Sequence, residues 1–272
     1  MSWRTVARKD FRDASRSRWL WVLSGLLVLA FVGYALVHRY VGATTFTSFL
    51  DGLTVLAASL LPVLAIALGY KSIIHERTSG SLFLTLSFPH SRSDVALGTF
   101  VGRSAVLLAP TLVALALAGV VGAALYGTDG ALPFPVFLLV TALYGVAFVG
   151  ITVALSMSTT ADRRITLGAL GAYLVLVQFW DNLHTLTVLA LHRFDFTVLE
   201  SMPDWTLLFR LLKPSESYYR VVRAAFDVGL GGRYVGPDAP LYVGWWMALV
   251  LLVAWAAVPL AVGYRRFARA DL

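Results

Sequence analysis

Apolar residues fall in long blocks along this chain, separated by short polar connections. A helix crossing hydrocarbon needs about 20 mostly apolar residues. Six blocks meet that length: residues 19–37, 53–74, 104–126, 135–157, 165–191 and 241–264, the fifth long and interrupted. Residues 3–18 follow a different pattern. Trp3, Val6, Ala7, Phe11 and Ala14 recur at helical spacing, with Arg4, Arg8, Lys9, Arg12 and Arg16 between them. That spacing predicts an amphipathic helix lying on an anionic leaflet. A cleaved signal peptide is not expected, because the basic stretch is too long and no A-x-A-like site follows it. Gly145 and Gly150 in the fourth block, and Gly168 and Gly171 in the fifth, suit close helix packing.

Two connections are larger than turns. Residues 75–103 read HERTSGSLFLTLSFPHSRSDVALGTFVGR. Pro89 breaks this stretch, and Ser91 with Asp94 makes a capping-box spacing before Val95-Ala96-Leu97. The segment thus reads as helix, break, helix. Its first helix, 81–87, presents Leu82, Phe83, Leu84 and Leu86. Such an apolar patch either docks a partner or folds back on the membrane bundle. The second connection, 192–240, contains two short amphipathic stretches, 207–212 and 218–226, around Lys213-Pro214. Pro214 suits the first turn of a helix, and the Gly- and Pro-rich run 229–240 suits a loop.

Composition agrees with the blocks. The chain has 272 residues, 58% hydrophobic and 14% charged, against roughly 25% charged in an average soluble domain. Disorder and a soluble nucleic-acid-binding domain are excluded, and no nucleic-acid partner is expected. With no cysteine there is no disulfide framework, thiolate metal site or Cys nucleophile.

The net charge of +7 reads as an insertion bias, because basic residues flank the apolar blocks. With the N-terminus inside, Arg4, Arg8, Lys9, Arg12, Arg16, Arg18, Lys71, Arg77, Arg92, Arg103, Arg163, Arg164, Arg265, Arg266 and Arg269 are cytoplasmic. The expected fold is an all-α integral membrane protein. It has six transmembrane helices, an N-terminal interfacial helix and both termini cytoplasmic, in one domain across 1–272.

Polar residues within apolar blocks are costly in lipid and therefore informative. Asp51 stands just before the second block and reads as interfacial. Asp181, beside Asn182, lies about 24 Å along a straight fifth helix at 1.5 Å per residue. It reads either as a pathway or gate residue or, more plainly, as part of an interfacial belt with Trp180. His184 and His192 are eight apart, and an outer pair of this kind is more often solvated than metallated. No metal site or cofactor is expected. There is no G-x-x-x-x-G-K-[ST], no H-E-x-x-H (His75-Glu76 lacks the second His) and no G-x-S-x-G. An enzyme is therefore a poor reading.

Taken together, these features resemble the ABC-2 family of ABC-transporter permeases over nearly the whole chain. An elbow helix precedes the first span. Glu76-Arg77-Thr78-Ser79-Gly80-Ser81-Leu82 looks like the family's E-x-x-x-G-[ST]-L, and Pro89-His90-Ser91-Arg92 like its P-x-[ST]-R. Lys213-Pro214 through Tyr218 looks like its N-P-x-x-x-[YF], with Lys213 in place of Asn. Gly98-Thr99 departs from the usual Gly-Lys.

The resemblance implies a permease in the cell membrane, usually an exporter, paired with a second permease copy. It implies a separate cytoplasmic ABC ATPase docking on the loop after the second span. On that basis Glu76, Gly80, Ser81, Leu82, Phe83, Leu86, Pro89 and Arg92 are coupling residues. Asp181, Asn182, Pro214 and Tyr218 belong to a pathway or gate. The short length, the Asp181-Asn182 pair and the closing Arg265-Arg266 resemble permeases that accompany nitrous-oxide-reductase maturation. Few Met, scattered His and no Cys argue against copper passing through this chain. An ATP-independent channel or secondary transporter, which favours internal repeats, is the alternative. A membrane enzyme or scaffold is the weaker one.

Overall fold

The computed structural model describes residues 3–41, 45–69, 91–159, 161–199, 203–226 and 240–269. Among these residues the chain is helical and has no strand. Its helices are α1 (Trp3–Ser15), α2 (Arg18–His38), α3 (Phe46–Gly69), α4 (Arg92–Tyr126) and α5 (Phe134–Ser158). They continue as α6 (Asp162–Tyr173), a π-turn at Leu174–Gln178, α7 (Trp180–Leu191), α8 (Trp205–Leu211), α9 (Pro214–Phe226) and α10 (Trp245–Arg269). Five of them, α2, α3, α4, α5 and α10, are long and apolar enough to cross a membrane. The α6–α7 pair passes the same test together but bends by 69°.

α1 stops one turn short of the expected Arg18. Ser17 takes an extended conformation there, and its hydroxyl accepts the Trp19 N–H at 3.2 Å, capping α2. α4 starts where the Ser91–Asp94 spacing places it. The Ser91 hydroxyl accepts the Asp94 N–H, and the Asp94 carboxylate accepts the Ser91 N–H. From that cap the helix runs unbroken for 35 residues, about 52 Å. It exceeds a hydrocarbon core of about 30 Å by about four turns. α3 begins at Phe46, so Asp51 lies within the helix rather than ahead of it.

α2 buries one stripe, Leu23, Leu27, Phe31 and Ala35, at four-residue spacing. Trp19, Trp21, Leu26 and Leu29 point outward, as expected of a helix bathed in lipid on its other faces. α5 is the central helix. It packs on α3, α4, α9 and α10, and its longest contact is with α10. Small residues make that contact possible. A Cβ on Gly150 would fall 2.6 Å from the Ala256 carbonyl oxygen, and one on Gly263 would fall 2.7 Å from Ala154 Cα. Gly145 is tight only against leucine side chains, and Gly171 meets nothing within 4 Å, so only Gly150 of the expected set lets backbones touch.

A proline inside a helix leaves a carbonyl four residues earlier without its donor. Pro62 does this in α3, and the orphaned Ala58 carbonyl accepts the Tyr144 hydroxyl from α5 at 2.9 Å. In a membrane such backbone groups must be satisfied by protein. Tyr144 is fully buried, and its position fixes the level at which the next layer packs.

Both ends of the described chain meet at the start of α4. The Trp3 N–H donates to the Asp94 carboxylate at 3.0 Å. The Arg92 guanidinium donates to the carbonyls of Phe267 and Ala268 at 3.0 and 2.8 Å. This end of the bundle is the termini end. The opposite one is the far end.

Candidate functional site

The far end is plugged by α8 and α9. Pro214 cannot continue α8, so that helix ends at Leu211 and α9 restarts on the proline. A helix of seven residues leaves a large share of its carbonyls without internal donors. Side chains from three other helices supply donors. Thr206 O accepts His184 Nε2 at 3.0 Å, Phe209 O accepts Trp180 Nε1 at 3.3 Å, and Leu211 O accepts Ser217 Oγ at 2.6 Å. Leu212 O accepts Trp255 Nε1 at 2.8 Å. The turn is thereby tied to α7, α9 and α10 together.

It is tied deep in the bundle. Trp255 is ten residues into α10 and Tyr144 ten residues into α5, about 15 Å from the far end of each helix. Tyr218 of α9 reaches Tyr144 and stacks on it with ring centroids 4.7 Å apart. Its hydroxyl lies 2.8 Å from Thr141 Oγ1. Burial raises the Tyr218 phenol far above its ordinary value, so it stays neutral.

Four charges surround this turn. Lys213 Nζ donates to Asp181 Oδ2 at 2.8 Å, and Arg210 faces Glu216 at 3.9 Å. The Lys213 side chain is 10% exposed and that of Asp181 is 54% exposed. The buried ammonium therefore depends on its partners, while the carboxylate opens to the surroundings. Burial pushes the Glu216 carboxyl up, and Arg210 and Lys213 pull it partly back. Tyr219 is pushed up to about 12 by burial, with Glu216, Asp51 and Asp181 nearby.

The termini end holds a second cluster. α1 lies along the first turns of α4, with Asp10 paired to Arg103 at 3.1 Å. A Cβ on Gly98 would fall 2.8 Å from the Trp3 carbonyl oxygen, and one on Gly102 would fall 2.7 Å from Asp10 Oδ2. Burial raises the Asp10 carboxyl, against the pull of Arg103.

Residues 4–272 match the family model described as ABC-2 family transporter protein. The chain belongs to the ABC-2 transporter family. It is 31% identical over 281 residues to the "Probable ABC transporter permease protein NosY" of Pseudomonas aeruginosa, covering 97% of each chain. It is 30% identical over 275 residues to the protein of the same name from Stutzerimonas stutzeri, again over 97% of each. The chain is a membrane permease subunit of an ABC transporter and crosses the cell membrane several times.

Several expected residues of the permease come together. Asp181, Pro214 and Tyr218 belong to the far-end cluster, and Asn182 is exposed beside it. The straight-helix placement of Asp181 fails, because the π-turn and the 69° bend come just before it. A simple belt with Trp180 also misses its ion pair with a buried lysine. The outer histidines are not a solvated pair. His184 is buried on the Thr206 carbonyl, and His192 Nδ1 bonds the Val188 carbonyl within its own helix. Glu76, Gly80, Ser81, Leu82, Phe83, Leu86 and Pro89 lie outside the described residues. Arg92 is described, and its guanidinium reaches the end of α10.

Sequence reading missed Lys213 as the partner of Asp181. In the sequence the lysine reads as a departure from a motif and the aspartate reads with Asn182 and Trp180, so nothing pairs the two. A warning was available, since a lysine ahead of Pro214 in an apolar stretch needs a counter-charge.

Proposed function

We propose that the permease moves its substrate outward, driven by ATP hydrolysed in a separate cytoplasmic ABC ATPase, and that it works as a pair of identical copies. In this reading α6 and α7 form one bent span, giving six, and both termini are cytoplasmic. The common meeting point of Trp3, Arg92 and Phe267 supports a shared side for the termini. The basic residues of the short connections support the inside for that side. The ATPase docks on residues 75–103, with Leu82, Phe83 and Leu86 entering its groove. Glu76, Gly80, Ser81 and Pro89 shape the docking segment, and Arg92 couples it to the end of α10. The likeness to permeases of nitrous-oxide-reductase maturation belongs to the same proposal.

The passage is assigned to the face that carries Asp181, Lys213 and the α8–α9 turn. One observation carries this assignment. An ion pair whose carboxylate is 54% exposed includes Lys213, next in the chain to Leu212, whose carbonyl is held by Trp255 ten residues into α10. Charges at such depth face water or protein rather than lipid. On this reading Asp181 looks onto an aqueous path between the two copies, and Tyr218 and Pro214 hold the turn that closes it.

Affinity purification in mild detergent tests the partner. A stoichiometric soluble ATPase is expected with the native chain and is lost with Leu82→Asp, while the variant still inserts. Its absence from a folded, dimeric native chain would move the reading to an ATP-independent channel. Asp181→Asn tests the path: a fall in transport-coupled ATP hydrolysis is expected, and unchanged coupling would return Asp181 to a structural role.

A further inference from the structure

We propose that the groove between α5, α6 and α10 binds one anionic phospholipid, with an acyl chain along its length and the phosphate at Arg266. The groove encloses about 530 Å³. Leu155, Val175, Trp255, Val258 and Val262 make its apolar walls, and Arg266 is the charged residue that lines it. Among the described residues no side chain fills it. Val258 is 58% exposed, and Gly171, on the opposing wall, has no atom within 4 Å of where a Cβ would stand.

The two ends of the groove differ in chemistry. Trp255 closes the inner end, and its indole N–H is already taken by the Leu212 carbonyl. Arg266 stands at the other end and has no hydrogen-bond or ion-pair partner among the described residues. Arg163 and Arg164 open α6 at the same end of the bundle, and Arg265 and Arg269 flank Arg266. The polar group nearby, Ser158, spends its hydroxyl on the Ala154 carbonyl at 2.7 Å.

Length selects the ligand. Trp255 and Arg266 are eleven residues apart on one helix, about 16 Å. Half of a hydrocarbon core of about 30 Å is about 15 Å. The groove is therefore one leaflet deep, with a guanidinium at headgroup level. Arginine matches phosphate oxygens in a bidentate geometry. An apolar helix from a second copy would cover the walls but leave Arg266 facing no anion. Assigning the lipid to the cytoplasmic leaflet rests on the orientation proposed above, whereas the contact itself does not.

The test uses the full-length permease, delipidated in mild detergent and titrated by native mass spectrometry. The probes are phosphatidylglycerol and phosphatidylcholine of equal chain length. The native chain is expected to retain phosphatidylglycerol preferentially. Arg266→Gln should lower that retention about fivefold, the effect of one basic residue near an anionic surface, and leave phosphatidylcholine unchanged. Arg266→Lys should restore most of it. Val258→Trp, which fills the groove, should lower both lipids. Equal phosphatidylglycerol retention by the native chain, Arg266→Gln and Val258→Trp would overturn the proposal. So would efficient disulfide linkage of Val258→Cys between two copies, since the chain has no native cysteine. Labelling of Arg266→Cys by an impermeant thiol reagent from one side only reports the orientation independently of lipid binding.

Discussion

At the scale of single residues, the far-end cluster behaves asymmetrically. Lys213 is buried and Asp181 is half open to the surroundings. Removing the aspartate leaves a buried ammonium, whereas removing the lysine leaves a carboxylate that can be solvated. Breaking a buried pair costs about 3–5 kcal/mol. Glu216 also faces Lys213, so Asp181→Ala should destabilise by less, about 2 kcal/mol, and Lys213→Met by under about 1 kcal/mol. Thermal unfolding of both variants in one detergent checks the order, and the reverse order would contradict the geometry. Glu216 supplies a pH prediction. Burial raises its pKa above the ordinary 4.5, so the folded chain holds this proton more tightly than the unfolded one. The resulting stability is complete below the ordinary value and is lost as pH rises through the folded pKa. Glu216→Gln removes that titration. Its Tm relative to the native chain should rise between pH 4 and pH 8, as read by scanning fluorimetry.

At the scale of elements, what could be read in advance depended on the range of the forces involved. The start of α4 was legible because a capping box is a local hydrogen-bond pattern, and Ser91 and Asp94 carry all of it. The restart of the chain at Pro214 was legible for the same reason. The bend before α7 was not. The five residues of the π-turn, Leu174–Gln178, are as apolar as a straight span, and α7 is held at its angle by Trp180 and His184 on α8 carbonyls some twenty to thirty residues away. The roles of the glycines were half legible. Their presence signals close packing, but only the partner surface decides which of them is needed. Gly98 is needed, since the Trp3 carbonyl occupies the place of its Cβ. Gly98→Ala should therefore lift α1 from α4 and destabilise the permease by about 1–3 kcal/mol, while Gly171→Ala should change little. Protease susceptibility of the first 18 residues and the melting temperature read both outcomes.

At the scale of the whole molecule, the two clusters occupy opposite ends of a bundle organised around α5 and α10. The turn at Leu212 is fastened to α10 through Trp255, and the other end of α10 is fastened to α4 through Arg92. α10 therefore links the proposed gate to the last residues of the proposed docking segment. The Arg92 bonds cap carbonyls that the end of a helix leaves without internal donors, and a cation is favourable there. They also join α4 to α10 in a way that the Gly150–Ala256 crossing, between α5 and α10, does not. A force applied at residues 75–90 would reach α1 through Asp94 and α10 through Arg92. Arg92→Ala removes the second route alone. Its loss should cost little stability, about 1 kcal/mol, as for a charge-assisted bond at a partly exposed helix end. ATPase co-purification should persist, because the apolar docking residues are untouched. Substrate-stimulated ATP hydrolysis in reconstituted vesicles should fall severalfold while basal hydrolysis holds. Loss of the ATPase itself on Arg92→Ala would instead place this arginine in the docking surface, and unchanged stimulation would show that α10 is not the route between the two ends.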